Sequence, residues 1–174
     1  MTSIATSFGH PDYADADLCA SIGGVLERSE LAALATERDG EPHVATVSYA
    51  YTKDMTLYFI SAQADVHSQD LAANPSAAVA VWTTPETWGS NLQGLQLFGT
   101  CEELGVGAEF LAAMRLYLAR FPAFTALLKT DRVRFNPLDG NVLAERVMQV
   151  VTMPPATVKA ASRFYDRLVA KSKK

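Results

Sequence analysis

An Asp-Gly pair at residues 39–40 constrains this chain more than any other feature, because it stands between two runs that read as strands. Both residues tolerate the positive φ of a tight primed turn, and the pair is the strongest short-range signal for a β-hairpin. The first arm, residues 31–36, is Ala-rich and by composition favours a helix, but the turn requires a strand there. The second arm is predicted to be a long strand over residues 43–51.

The residues that follow alternate between turn signals and strand signals. Lys53-Asp54 predicts a second turn, which leads to a short strand at residues 57–61. A small helix is predicted at residues 65–73, where Asn74-Pro75 ends it, and a further strand at residues 77–82. The centre of the chain is thus a meander of antiparallel strands with one helix inserted.

The order of these segments resembles a known family. The segments read LATERDGEPHVATVSY, LYFISA, LAANPSAAVAV and NLQGLQLFGTCEEL. In this order they are similar to the flavin-binding split barrels related to pyridoxamine 5′-phosphate oxidase, and the similarity covers residues 31–104. The resemblance implies an α+β, mainly β fold, namely a six-stranded antiparallel split barrel with flanking helices.

Helices are predicted on both sides of the meander. Residues 12–28 and 107–120 carry apolar side chains at spacings of three and four, and a short second helix begins at Pro122 and ends near residue 128. The two apolar stripes consist of Leu18, Ile22, Val25 and Leu26, and of Phe110, Leu111, Met114 and Leu118.

The C-terminal part is predicted to close the barrel with strands at residues 133–135 and 147–151, on either side of a turn-rich stretch at residues 136–141. Pro154-Pro155 is expected to end the domain. Beyond it, apolar residues recur at helical spacing among basic ones, which is typical of a solvated helix face or of a contact with nucleic acid or an acidic membrane. The predicted parts are an N-terminal arm and helix (1–30), the split barrel (31–155) and a basic tail (156–174). The apolar residues of the tail are Val158, Ala161, Tyr165 and Leu168.

Composition excludes several classes of protein. The formal net charge is -4 and the pI is about 5.3, whereas a dedicated nucleic-acid binder needs a strongly basic surface. The chain contains no apolar run near the ~20 residues that cross a bilayer, and no secretory leader is recognised, so a cytoplasmic protein is expected. Cys19 and Cys101 lie in no metal-ligand spacing, which predicts two reduced thiols and no zinc site.

Local catalytic motifs are missing from the sequence: it contains no GxSxG, HExxH, Walker loop or GxGxxG. This suits a protein whose cofactor supplies the chemistry. The resemblance implies an FMN-dependent oxidoreductase that acts on a small organic substrate as a homodimer, with its cofactor sites at the interface. The alternatives are a deazaflavin-dependent reductase of the same fold and a non-catalytic flavin- or haem-binding protein. Tyr49, Tyr51 and His67 are the titratable or hydroxyl candidates near the site, and none is assigned a proton-transfer role.

The resemblance also implies where a flavin would bind. Its ring would lie along residues 45–48, where backbone groups reach the polar edge of the ring and small side chains permit close approach. The alternate residues Val44, Thr46, Ser48 and Ala50 form one small, slightly polar face of this strand. A strand that is half exposed to water and binds no ligand would show the same pattern. Trp82 and Trp88 flank the loop at residues 83–91, which is expected to select the substrate, although a Trp is also typical of a core or an interface. The implied cofactor-binding residues are Thr46, Val47, Ser48, Ile60, Ser61, His67, Ser68, Trp82, Gln93 and Gly94.

The phosphate end of the implied site departs from the family pattern. Family members commonly carry Ser and Lys or Arg around the start of the short helix, and those positions fall here at Asp65 and His67. Asp65 repels a phosphate, and His67 is mostly neutral at pH 7 with an unperturbed pKa near ~6.5. Ser68 and the free N–H groups of the helix start are the remaining candidates for an anion site. An exposed helix residue is the alternative interpretation of His67.

Overall fold

The computed structural model describes residues 15–84, 93–128, 133–135 and 146–162. Within these residues the chain forms four helices and nine strands. The helices are α1 (Asp15–Arg28), α2 (Val66–Ala73), α3 (Ala108–Arg120) and α4 (Phe124–Leu128). The strands are β1 (Leu31–Arg38), β2 (Glu41–Tyr51), β3 (Leu57–Ala62), β4 (Ser76–Trp82), β5 (Gln93–Thr100), β6 (Glu102–Glu103), β7 (Val133–Phe135), β8 (Arg146–Met153) and β9 (Pro155–Ser162).

The strands form one curled sheet in the order β6-β8-β3-β2-β1-β4-β5-β9, and every neighbouring pair in it is antiparallel. β7 lies off this path and pairs with β8 in parallel. Only Cys101 lies between β5 and β6, and β6 pairs with β8. The sheet that runs from β8 through β3, β2, β1 and β4 to β5 is therefore connected back to β8 by β6, as in a barrel. The predicted mainly β split barrel is confirmed. Its predicted count of six strands is wrong, since seven long strands are present along with two of two and three residues.

The hairpin at the centre forms as its turn residues require. Asp39 has φ 56° and Gly40 has φ 84°, both in the left-handed region that a primed turn needs. β1 and β2 then pair without interruption from Arg38↔Glu41 to Leu31↔Ser48. The Ala-rich residues 31–36 are therefore strand, because pairing on both edges, with β2 and with β4, outweighs their helical propensity.

The core lies inside the curled sheet. Alternate residues of β1 point inward, where Ala32, Leu34 and Thr36 are buried. From α1, Ile22, Val25 and Leu26 of the predicted stripe enter this core, while α2 contributes Leu71. α3 packs on the other face of β3 and β8, where Ala113 and Met114 meet Tyr58 and Val150.

The predicted stripe of α3 is partly wrong. Leu111 is 53% exposed, whereas Ala113 and Tyr117 are buried. α3 therefore turns a slightly different face to the sheet from the one that its largest apolar residues suggested. The buried residues of α3 are those on the side that contacts β2, β3 and β8, and Ala113 and Tyr117 lie on that side.

The end of the barrel also differs from the expectation. Residues 156–162 were predicted to begin a helix after a terminating Pro154-Pro155, but they form β9, which pairs with β5 from Gln93↔Ser162 to Gly99↔Pro155. A long-range strand partner thus overrides local helical spacing. The N-terminal arm up to residue 14, the loop at residues 85–92, the turn at 136–141 and residues 163–174 lie outside the described residues. In the part of the chain that is described, no helix is long and apolar enough to cross a membrane.

Candidate functional site

β2 and β3 separate where the sequence analysis placed the flavin ring. Their ladder contains the pairs Tyr49↔Phe59, Ala50↔Tyr58 and Tyr51↔Leu57 and then stops. β1 pairs with residues 41–48 on one edge of β2, so the other edge of that segment has no strand partner among the described residues. Successive residues of a strand direct their backbone N–H and C=O groups to opposite edges, so alternate residues of the stretch from Thr46 to Ser48 offer theirs to a ligand at this gap, which we call the β2–β3 split.

The opposite wall of the split is formed by β3, whose successive side chains lie on opposite faces of the sheet. Ile60 packs against the cluster under α3, while Ser61 is buried in the interior and lies 2.9 Å from the hydroxyl oxygen of Ser68. Each serine hydroxyl thus has a partner inside the fold. Ser61 and Ser68 join α2 to β3, and that contact leaves less of their hydrogen-bonding capacity for a phosphate.

The outer face of the sheet brings four of the predicted residues onto one surface. Cross-strand partners share a face, and the register aligns Thr46 with Ala33, Ala33 with Ala80, and Ala80 with Gln96. One row further, Ser48 pairs with Leu31 and Trp82 pairs with Gly94. We call this surface the outer face; its exposed apolar residues include Leu31 at 53%, Val44 at 74% and Trp82 at 47%.

A groove of about 790 Å³ lies at the edge of the outer face. Residues 27–31 and 82–84 line it, so the exposed side chains of Leu31 and Trp82 meet hydroxyl and charged groups there. The Arg28 guanidinium at its rim donates a hydrogen bond to the side-chain oxygen of Gln93. The groove is large enough for a small organic molecule. Trp88 lies outside the described residues.

The start of α2 does not form a cationic pocket. Asp65 is the N-cap of α2, yet its carboxylate accepts the N–H of Ala62, 3.1 Å away, in the turn that follows β3. The N–H groups of Ser68 and Gln69 donate to the carbonyl of Asp65. Burial lowers the pKa of His67 against the opposing charges of Asp65 and Asp70, so its imidazole is neutral at pH 7. Of the predicted anion donors, the N–H and the hydroxyl of Ser68 are thus already hydrogen-bonded, and the His67 imidazole is uncharged.

His67 has one feature that the sequence did not reveal. Its Nε2 atom is buried and has no hydrogen-bond partner within the described part of the chain. A buried polar atom without a partner is costly, and such atoms are uncommon in native proteins. The imidazole of His67 therefore lacks one hydrogen bond within the described part of the chain.

A buried carboxylate joins α2 to the hairpin. Asp70 is fully buried, and it accepts the hydroxyl of Thr36 at 2.8 Å. The Nδ1 atom of His43 lies 2.9 Å from it and the Nε atom of Arg38 lies 3.3 Å from it. Burial raises the pKa of the Asp70 carboxyl, but the Thr36 hydrogen bond and the charges of His43 and Arg38 outweigh it, so the net pKa is lowered. Asp70 is ionised at neutral pH.

Tyr117 is a site residue that sequence reasoning missed. Its phenol shares a hydrogen bond with Ser48, beside the β2–β3 split, and burial raises its pKa while the Ser48 bond lowers it less. The phenol therefore stays protonated and can orient the Ser48 hydroxyl. A tyrosine in a helical stripe carries no local signal of this role, because its partner is on a distant strand.

Tyr49 and Tyr51 take up structural positions. The Tyr49 hydroxyl lies 2.9 Å from the carbonyl of Leu26 and 2.7 Å from that of Ser29, and Tyr51 donates to Glu27 at 2.6 Å. Both phenols thus bind the end of α1. Among the described residues, no group of three or more His, Cys, Asp or Glu side chains is arranged to hold a metal ion.

Comparison with known proteins identifies the family. The family model described as pyridoxamine 5′-phosphate oxidase matches residues 21–144, which is more than half of the chain. The chain belongs to the pyridoxamine 5′-phosphate oxidase family. Its mainly antiparallel split barrel is the fold of that family. No curated protein sequence matches this chain.

Solved structures share the fold at low sequence identity. A protein of unknown function from Agrobacterium tumefaciens is 19% identical with a TM-score of 0.65, over 90% of this chain and 61% of that one. A haem-binding protein from Mycobacterium smegmatis is 16% identical with a TM-score of 0.67, over 90% of this chain and 57% of that one. An FAD-binding protein from Mesorhizobium loti is 20% identical with a TM-score of 0.58, over 84% of this chain and 94% of that one. This chain spans less than two thirds of the first two proteins.

Proposed function

We propose that this protein is a flavin-dependent oxidoreductase that binds the flavin ring in the β2–β3 split and acts on a small organic substrate. The observation that carries the proposal is the unpaired edge of β2 at Thr46, Val47 and Ser48. Family membership supports it, because the split coincides with the segment where the family resemblance implies the ring. A bound flavin would supply two-electron redox chemistry.

The residues present fit the ring of FMN, the flavin expected from the resemblance. Open backbone donors and acceptors suit the polar edge of the ring, and the small side chain of Ser48 on the outer face leaves room beside it. Ser48, oriented by Tyr117, would place a hydroxyl next to that edge. The phosphate of FMN fits less well, since the start of α2 offers no cation.

The groove at residues 27–31 and 82–84 is the proposed substrate entry. It borders Leu31, which pairs with Ser48, so a molecule in the groove would lie close to the ring site. Trp82 and Leu31 would give the substrate an apolar wall, and Arg28 a cationic rim. No described side chain is assigned as a general acid or base.

We also propose a homodimer in which two outer faces meet. Exposed Val44, Leu31 and Trp82 share one surface with small residues such as Ala33 and Ala80, and a second copy can cover that surface. Thr46 and Ser48 lie on this surface, so each ring site would be completed by the partner. The cytoplasm is the proposed compartment, in line with the free thiols of Cys19 and Cys101.

Haem binding is the second candidate, and one observation favours it. The partnerless Nε2 atom of His67 is a suitable iron ligand when the imidazole is neutral, as burial makes it here. A deazaflavin would use the same split as a flavin, since its ring has the same shape.

Absorption spectra separate these candidates. We expect the purified chain, or the chain incubated with FMN, FAD or riboflavin, to show a bound-flavin spectrum with shifted bands. A Soret band after incubation with haemin, lost in His67→Ala, would support haem instead. A deazaflavin that binds where flavins do not would favour the reductase alternative.

A matched pair of variants locates the site. Ser48→Ile adds bulk next to the unpaired edge of β2, and it should lower flavin occupancy at least tenfold while the chain still folds. Thr100→Ile is the control, because Thr100 is exposed at the far end of β5 and Ile suits a strand equally well. Equal occupancy in the two variants would place the flavin elsewhere.

A further inference from the structure

Three charged side chains line the proposed substrate groove, namely Glu27, Arg28 and Glu30. Arg28 is the one cation among the described residues of this lining. The sequence contains no lysine or arginine between Lys53 and Arg115, so β3, α2, β4 and β5 add no second cation. Recognition of an anionic group in the groove therefore depends on the Arg28 guanidinium.

The positive charge of Arg28 is not compensated. Its Nη2 atom donates a hydrogen bond to the side-chain oxygen of Gln93, and an amide is neutral. The ion pairs formed within the described part of the chain involve Arg38, His43 and Arg120, and not Arg28. Because a guanidinium has five N–H donors, Arg28 keeps donors as well as charge for a ligand.

The guanidinium of Arg28 is also held in place from two sides. Gln93 contacts it from the start of β5, and the carbonyl of Gln93 accepts the N–H of Thr83, a lining residue of the groove, at 2.9 Å. On the other side, a Cβ atom at Gly24 would lie 3.1 Å from the Nη1 atom of Arg28. Glycine at this position thus leaves the space into which the Arg28 side chain folds back along α1.

The two carboxylates of the groove differ in their contacts. The Oε2 atom of Glu27 accepts the Tyr51 hydroxyl at 2.6 Å and lies 3.6 Å from the Nη1 atom of Arg120, so an internal cation offsets its charge. Glu30 is exposed and forms no ion pair with another described residue. A ligand with one negative group can bind at Arg28, whereas a second negative group would meet Glu30.

The uncharged part of the lining suits a ring. Leu31 and Trp82 are exposed and provide apolar surface, and an indole stacks well on another aromatic ring. The groove is about 790 Å³ in volume, which is enough for one ring with its substituents. A planar ring and one anionic substituent are therefore the two features that this lining can recognise together.

We propose that the substrate is an aromatic monocarboxylate, whose carboxylate binds Arg28 and whose ring lies against Trp82 and Leu31. Arg28 is then the specificity-determining residue, and Gln93 and Gly24 are positioning residues that act through it. Arg suits this role because its planar fork matches the two oxygens of a carboxylate. The inference rests on the proposed function, since it takes the groove as the entry to the flavin ring site.

Three probes of one shape and different charge test the proposal: benzoate, benzamide and benzamidine. Their dissociation constants are measured by NMR on the full-length protein after incubation with FMN, at constant ionic strength. Benzoate should bind about fivefold more tightly than benzamide, as expected for one charge-assisted pair at a partly exposed site, and benzamidine should bind most weakly. Tightest binding of benzamidine would overturn the inference and assign the groove to cations.

Arg28→Gln removes the charge from the exposed end of α1 and should abolish the preference for benzoate, with benzamide binding unchanged. Arg115→Gln is the matched control, because Arg115 is exposed on α3 and does not line the groove, and it should retain the preference. Gln93→Glu retains Arg28 but gives it an anionic partner, so it should also abolish the preference. Retention of the preference in Arg28→Gln would overturn the inference.

The adjacent glycines of α1 provide a test of the positioning. Gly24→Ala and Gly23→Ala should each stabilise the helix, since Ala is a better helix former than Gly. A Cβ atom at Gly23 has no neighbour within 4 Å, whereas one at Gly24 displaces the Arg28 guanidinium. Only Gly24→Ala should therefore weaken benzoate binding, by about twofold. Equal benzoate affinities in the two variants would overturn the role assigned to Gly24.

The absorption spectrum of the same samples separates this inference from the proposed function. Bound flavin together with equal affinities for the three probes would overturn the inference and leave the proposed function standing. A wild type that prefers benzoate through Arg28 but binds no flavin would overturn the proposed function, and with it the assignment of the carboxylate to a substrate. Bound flavin, preference for benzoate and its loss in Arg28→Gln support both.

Discussion

The Nδ1 atom of His43 lies 2.9 Å from a carboxylate oxygen of Asp70, and this contact joins the second strand of the hairpin to α2. The three groups that lower the pKa of Asp70, namely Thr36, His43 and Arg38, all come from the hairpin. Asp70 is therefore the ionised side chain that ties α2 to the β1–β2 end of the barrel, beside the Ser61–Ser68 contact with β3 and the buried Leu71. Its protonation should loosen that end first.

Acid should thus destabilise the wild type through Asp70. A carboxyl whose pKa is lower in the folded than in the unfolded state stabilises the fold above its unfolded pKa, and the stabilisation is lost as the pH falls through the folded pKa. The urea midpoint of the wild type should fall more steeply below pH 4 than that of Asp70→Asn. Parallel curves for the two proteins would contradict this assignment.

His67 should titrate below the usual range of histidine. Burial lowers its pKa, so between that value and about 6.5 the unfolded chain binds more protons than the folded one, and stability should rise with pH there. NMR of the imidazole nitrogens follows the titration directly, with His67→Gln identifying the signal. A midpoint at or above that of the same residue in urea would show that the ring is not desolvated.

The two cysteines should react very differently. Cys19 is exposed on α1, whereas Cys101 is buried between β5 and β6, where burial raises the pKa of its thiol to about 12. A thiol reagent at pH 8 should modify one sulfur of the native protein and both sulfurs in denaturant. Cys19→Ser should abolish the native reaction. Rapid native labelling of that variant would place Cys101 at an open seam.

Arg120 should be important for stability. Its guanidinium donates to the carbonyls of Leu26 and Ser29 and lies 5.2 Å from the ring centres of Tyr49 and Tyr51. Arg120→Met keeps the apolar stem but loses these contacts, and we expect it to cost about 2 kcal/mol of unfolding free energy. Arg115→Met, on the exposed face of the same helix, is the control and should change stability by less than about 0.5 kcal/mol. Equal losses would mean that the α1–α3 contact is not specific.

The outer face should mediate dimerisation. Light scattering of the wild type should give twice the 18.8 kDa mass of the chain. Ala80→Glu places a charge at the centre of the outer face and should give a monomer with weaker flavin binding, because each site would lose its partner wall. Ala119→Glu, exposed on α3, should remain dimeric. A monomeric wild type at micromolar concentration would exclude the interface model.

Local chemistry explains which parts of the fold were predictable. Asp39-Gly40 requires a turn whatever surrounds it, and the stripe of Ile22, Val25 and Leu26 requires a helix with one buried face. Residues 156–162 were misassigned because their strand character depends on β5, more than fifty residues earlier in the chain. The local secondary-structure preference of residues 156–162 does not indicate that such a distant strand partner exists.

The candidate site was predictable in its backbone and not in its electrostatics. The family resemblance implied a ring along residues 45–48, and the β2–β3 ladder ends at Tyr49, directly after them. The meeting of Thr36, His43 and Asp70 depends on how α2 docks on the hairpin, and no spacing in the sequence brings these residues together. The same holds for Tyr117 and Ser48, which only the packing of α3 makes neighbours.

The pairing of β3 with β8 has a consequence for how the chain folds. β1, β2 and β4 find their partners within β1 to β5, but Ile60 of β3 pairs with Val150 of β8, which is synthesised after α3 and α4. Closure of the barrel is therefore a non-local and late event, of the kind that slows folding. Until residues 148–153 leave the ribosome, β3 presents an open edge through which nascent chains can pair with one another. Substitutions in β8 should thus reduce the yield of folded protein more than they reduce the stability of the molecules that complete folding.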